Sequence, residues 1–110
     1  MAVSLSSIFV IFFVKGDTHT VRFTVYDETL TPLNFTGATG TLLVYDQSGS
    51  TVATISGTPD ATPTDGMMIY KFGPSDTSGL AAGNYTYRAK VTMGDGSVYT
   101  IREDSLVLQS

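Results

Sequence analysis

The chain has no cysteine and no tryptophan. Without cysteine there is no disulfide, no thiolate metal site and no Cys nucleophile, so the molecule must hold together by packing alone. Tryptophan is the usual platform for stacking sugars, and its absence weakens a carbohydrate-binding reading. Charge is scarce: 15% of the 110 residues are charged and 42% are hydrophobic. The six basic residues (Lys15, Arg22, Lys71, Arg88, Lys90 and Arg102) are scattered and face ten acidic ones, for a net charge of −4. That balance argues against a nucleic-acid groove, although Arg88 and Lys90 would share a strand face. His19 is the single histidine. It lies between two threonines with no strand–elbow–helix pattern to support a nucleophilic triad, and reads as a solvated strand residue. Good helix formers in periodic arrangement are also scarce. Threonine, serine and glycine are abundant instead, which is the composition of an all-β protein with many turns.

What stands out is the run Ile8-Phe9-Val10-Ile11-Phe12-Phe13-Val14. Its composition favours an extended strand. Seven apolar residues are too few to cross a bilayer. Residues 1–7 carry no Lys or Arg, so the positive start of a secretory signal is missing, and they read as a flexible lead to a single domain. In a strand, Ile8, Val10, Phe12 and Val14 point one way and Phe9, Ile11 and Phe13 the other. The pattern does not say which set turns inward. The reading adopted puts Ile8, Val10, Phe12 and Val14 in the core and Phe9, Ile11 and Phe13 at a protein interface. Leaving three such groups wet forgoes roughly 5–9 kcal/mol, comparable to the stability of a whole small domain. A neighbouring protein is therefore expected to cover them.

Further along, Lys15-Gly16-Asp17 breaks the run. Residues 18–26 alternate, with Val21, Phe23 and Val25 on one side. Pro32 and Gly37 punctuate a connection from which Leu33 and Phe35 are expected to tuck into the core. Strands are predicted at 41–45 and 51–55, joined by the turn Asp46-Gln47-Ser48-Gly49. Residues 56–66, with Pro59 and Pro63, read as a loop. A strand over 67–72 leads to one helical turn begun by Ser75 or Asp76, with Leu80 as a core plug. Residues 84–92 form the clearest strand, with Tyr85, Tyr87, Ala89 and Val91 on one face. Asp95-Gly96 predicts a two-residue type I′ hairpin into a strand over 97–101. After the polar break Arg102-Glu103-Asp104, residues 106–108 resume. Seven or eight short strands with turns between them indicate an antiparallel β-sandwich, with a small barrel as the alternative.

Motifs that carry chemistry are weak. Asp27-Glu28 and Glu103-Asp104 are adjacent carboxylates, which point apart on a strand and suit edges and turns better than acid–base work. Asp60, Asp65 and Asp95 lie in no EF-hand spacing. Neither a catalytic residue, nor a metal site, nor a cofactor is assigned.

The order of several segments resembles the immunoglobulin-like N-terminal domain of tailed-phage baseplate upper proteins. They are Lys15-Gly16-Asp17-Thr18, Val21-x-Phe23-x-Val25-x-Asp27, Leu33-x-Phe35-Thr36-Gly37-Ala38-Thr39 and Leu42-x-Val44-x-Asp46-x-x-Gly49. Pro74-x-Asp76-Thr77-x-Gly79-Leu80, Gly83-x-Tyr85-x-Tyr87 and Asp95-Gly96-x-x-Tyr99 follow in turn. Gly83-x-Tyr85-x-Tyr87 also resembles the tyrosine corner of many such folds. The resemblance implies an immunoglobulin-like β-sandwich with no enzymatic activity. It implies a structural virion protein, placed in the tail baseplate or on the capsid as a decoration protein. The expected partners are other virion proteins, in multiple copies around a symmetric particle, with no nucleic acid and no membrane. The alternative is a carbohydrate- or receptor-binding module of a phage or bacterial surface, using loop 56–66 and exposed tyrosines such as Tyr45 and Tyr99.

Overall fold

Alternation along each strand decides which side of it is buried. The computed structural model, which describes residues 10–27 and 29–110, follows that rule in seven strands. They are β1 (Ile11–Val14), β2 (His19–Thr24), β3 (Thr39–Tyr45), β4 (Thr51–Pro59), β5 (Met67–Phe72), β6 (Gly83–Thr92) and β7 (Val98–Gln109). A single-turn helix, α1 (Pro74–Thr77), joins β5 to β6. The hydrogen-bonded order is β1-β7-β6-β3-β4-β5-β2. The expected lead over residues 1–7 lies outside the described residues, as do Ile8, Phe9 and Glu28.

This sheet doubles back on itself into two layers. β4 pairs with β3 along most of its length and with β5 at its end, and Gly57 belongs to both pairings, opposite Gly40 and opposite Tyr70. Rings from strands far apart in the sheet order then meet across the core. Phe23 of β2 stacks on Tyr87 of β6 at 6.1 Å, and Phe13 of β1 packs on Phe72 of β5 at 5.1 Å. Strands that bend from one layer to the other at a glycine are a recognised way of closing a sandwich corner.

Tyr70 is the centre of that corner. Its ring is fully buried, and its hydroxyl donates to the Lys90 carbonyl of β6 at 2.8 Å. The ring lies so close to β3 and β4 that a Cβ on Gly40 would sit 2.9 Å from it, and one on Gly57 2.5 Å. Real Cβ atoms do not make such contacts, so both positions need glycine for space and not for backbone conformation.

Several sequence expectations change in the folded chain. β4 runs through to Pro59, four residues into the stretch read as loop, because Gly57 there receives the Tyr70 ring. The remaining connection is tied down by backbone hydrogen bonds, from Phe35 N–H to Pro63 O (3.0 Å) and from Val25 N–H to Gly66 O (2.7 Å). Leu33 and Phe35 are buried, as the pattern predicts. The polar break at 102–104 does not occur. β7 is continuous, and a bulge beside Ala89/Lys90 leaves Ile101 as the extra residue between Thr100 and Arg102. The hairpin before β7 is a three-residue loop and not type I′. Gly96 takes φ +93°, its N–H donates to Met93 O, and Asp95 has no positive φ. Nor is every pairing antiparallel, because β1 runs parallel to β7.

That parallel pair is held at its end by the bend after β1. Lys15 N–H donates to Gln109 O (2.9 Å), and Gly16 N–H donates to Thr77 Oγ1 (2.8 Å). Thr77, in α1, is the buried polar side chain of the described core. α1 itself starts from Gly73, whose N–H donates to Asp76 Oδ2, so Asp76 serves the helix start from its third position and not as the cap. Leu80 packs on the core edge.

Gly57→Ala is expected to cost about 1–3 kcal/mol, the usual penalty for overpacking. Tyr70→Phe, which removes one hydrogen bond, should cost about 1 kcal/mol. Urea unfolding followed by far-UV circular dichroism measures both.

Candidate functional site

The parity of β1 is set by its partner. Ile11 pairs with Leu106 and Phe13 with Leu108, both of them core residues, while Phe12 lies beside Val107 and Val14 beside Gln109. Ile11 and Phe13 are therefore buried, at 1% and 7% exposure, and Phe13 also stacks on His19 at 4.6 Å. This reverses the sequence expectation that Ile11 and Phe13 form the interface. Phe9, the third residue of that set, lies outside the described residues. The side expected to be core is the exposed one: Val10 is 47% exposed, Phe12 55% and Val14 38%. A two-residue side-chain period means that a shift of one position moves every residue to the other face. The surplus of apolar surface remains, on the mirror side.

The exposed strip opens onto a groove. On the outer face of the layer β1-β7-β6-β3, Val10 and Val107 form an apolar floor, with Thr86 and Ser105 beside them. Asp46 and Gln47 of the β3–β4 turn line it together with Asn84 of the neighbouring β6, and the hollow has a volume of about 440 Å³. A second hollow of about 370 Å³ continues between Tyr45, Arg88 and Glu103. Arg88 Nε lies 3.0 Å from Glu103 Oε1, and the Arg88 guanidinium sits 5.9 Å from the centre of the Tyr45 ring. An exposed pair of this kind adds little stability, but it neutralises the face.

The β3–β4 turn is rigid for a local reason. Asp46 Oδ1 accepts hydrogen bonds from Ser48 N–H (2.9 Å), Ser48 Oγ–H (2.7 Å) and Ser50 N–H (3.0 Å). The Ser48 hydroxyl, and then the Ser50 amide, hold the carboxyl below its ordinary value of 3.8. Asp27 repeats the arrangement with Thr29 and Thr31, and its carboxyl is lowered for the same reason. In that turn Leu30, 78% exposed, takes φ +64°, where the Asp46 turn has Gly49.

Other sequence candidates fall elsewhere. Glu103 points outward to Arg88, whereas Asp104 lies opposite the inward Tyr87. Burial first, and then the Asp104 charge, push the Tyr87 phenol upward. Tyr85 donates its hydroxyl to the Ala81 carbonyl (2.7 Å), the geometry of a tyrosine corner. Tyr99 packs half-buried against the core. Among the described residues no three His, Asp or Glu side chains converge as a metal site. No helix of the described residues is long and apolar enough to cross a membrane. Val107, Gln47 and Asn84 are the groove residues that sequence reasoning missed. The signal was present in Leu106-Val107-Leu108, where the two leucines mark the inward parity to which β1 must conform.

No family model and no curated protein matches the chain. Among solved structures it is similar to the crystal structure of the Lin-41 filamin domain. The TM-score is 0.50 at 15% sequence identity, over 98% of this chain and 90% of that one. At that identity the likeness speaks to fold: the chain is an immunoglobulin-like β-sandwich.

Phe13→Ser should cost about 3–5 kcal/mol, as for other large core truncations. Phe12→Ser should stay within about 0.5 kcal/mol in the isolated domain. Urea melts of the two variants side by side read out which face is core. A second expectation concerns pH. Asp27, Asp46 and Asp95 have lowered carboxyl pKa values, so they favour the folded state above 3.8 and lose that contribution as pH falls below it. The melting temperature should fall on acidification through that range, with a shallower slope in Asp46→Asn.

Proposed function

We propose that the chain is a non-catalytic docking module and a structural protein of a tailed-phage particle, in the tail baseplate or decorating the capsid. The observation that carries the docking part is the strip Val10, Phe12 and Val14 beside the Val107 groove, apolar surface held open on a rigid sheet. Apolar patches rimmed by polar groups mark interaction sites. The phage assignment rests on the segment resemblance, in which Gly83-x-Tyr85-x-Tyr87 opens β6 and the Asp46 turn closes β3. Copies repeated around a symmetric particle multiply a weak individual contact through avidity.

The glycan-binding alternative has Tyr45 at the groove margin in its favour. The Arg88 guanidinium already covers that ring, leaving less of its face for a sugar.

Gradient-purified particles, separated into tail and capsid fractions and analysed by mass spectrometry, should contain the chain at fixed stoichiometry. The Val10→Ser/Phe12→Ser double variant should keep a native circular dichroism spectrum and be lost from the particles. Undiminished incorporation of that variant defeats the docking face, and absence of the wild-type chain from particles defeats the virion assignment.

A further inference from the structure

We infer that a second copy of this chain occupies the exposed face, packed sheet on sheet about a two-fold axis with Phe12 of each copy in the groove of the other. The inference rests on the docking reading of that face and names its occupant.

Three features of the face favour a copy of itself. Knob and hole lie on one patch: Phe12 projects from β1, and the hollow floored by Val10 and Val107 begins two residues away on the same side. A two-fold contact needs a patch that complements itself, each residue meeting its counterpart reciprocally. The hollow, about 440 Å³, is large enough for the ring, since an apolar cavity of roughly 150 Å³ already holds benzene.

Size is the second feature. The β1-β7-β6-β3 face spans four strands at about 4.8 Å each and at most about seven residues at about 3.4 Å, on the order of 450 Å² in plan. Two such faces would bury on the order of 900 Å² in plan, the size class of weak, concentration-dependent contacts. Stacked sheets of this kind pack about 10 Å apart with interleaved side chains.

Charge is the third. The whole chain carries −4, which would make two copies repel if the acids were evenly spread. On this face the strands present Arg88, Lys90 and Glu103, with Arg88 and Glu103 paired to each other and Asp46 engaged in its own turn. Among the described residues, the other acids lie in turns, on other faces or, for Asp104, on the inner side of β7. Two such faces can meet without opposing net charge.

Sedimentation velocity and light scattering over a micromolar-to-millimolar series of the whole chain test the inference. The expected result is a concentration-dependent species of twice the 11.7 kDa chain mass. Phe12→Ala removes the knob and Ser105→Phe fills the hole from the neighbouring strand; each should weaken the dimer by roughly tenfold or more while leaving the circular dichroism spectrum native. Arg22→Ala, on the outer face of the other layer, should leave it unchanged. A monomer at every concentration overturns the second-copy inference, and loss of the same Phe12 variant from particles would then leave the docking reading standing with a different protein as occupant. A monomer in which Phe12→Ala lowers the melting temperature by several degrees overturns both, since the face is then covered within its own chain. A dimer unaffected by either variant overturns the assigned face.

Discussion

The fold depends on one close approach, the Tyr70 ring lying across the backbones of Gly40 and Gly57. That contact lets β4 leave the β3 layer and join the β5 layer within a few residues, and without the bend the seven strands would form an open sheet with two wet sides. The hydroxyl then reaches the Lys90 carbonyl on β6, so one side chain touches β3, β4 and β6 while belonging to β5. Burying a phenol this deeply is tolerable because its polar end has a partner. Its other consequence is pKa: burial pushes the Tyr70 phenol well above its ordinary range, so the group stays neutral and keeps donating.

β1 pairs with β7 at the end of the strand order away from β2, and that placement defines the candidate site. Its inward residues complete the seam where the two layers approach, Phe13 against Phe72 and His19. Its outward residues become a strip on a surface made of strands and a hydrogen-bonded turn. A face built this way holds its side chains in a more fixed arrangement than a loop would. Its one basic–acidic pair is internal to the face, which keeps charge from deciding what sits there.

Legibility in the sequence followed periodicity. Val21 and Phe23, and Tyr87, Ala89 and Val91, alternate with polar residues, so their burial can be read directly and is what the structure has. Leu33 and Phe35 were legible because isolated apolar residues in a polar connection have nowhere else to go. The run 8–14 is apolar at every position and so carries no parity of its own. Only the partner's Leu106 and Leu108 decide it, and β7 is remote in sequence. Gly57 looked like a loop residue because glycine marks turns far more often than it marks a ring resting on a strand. Arg102-Glu103-Asp104 looked like a break because polarity alone does not show that Glu103 meets Arg88 across the pair, or that the Arg102 guanidinium lies 5.7 Å over the Phe23 ring. Leu30 gave no warning of its left-handed backbone, which the hydrogen bonds closing the Asp27 turn impose.

Local information thus determined the all-β class, the number and approximate position of the strands, most core residues, and a surplus of apolar surface on the first strand. Those properties are set by neighbours within a few residues, through alternation, turn chemistry and the absence of helical periodicity. Tertiary structure decided the parallel pairing of β1, the side on which its surplus emerges, the corner at Gly57 and the groove beside Val107. Each of these depends on which distant backbone lies alongside, and a strand with apolar residues on both faces accepts either orientation until a neighbour settles it.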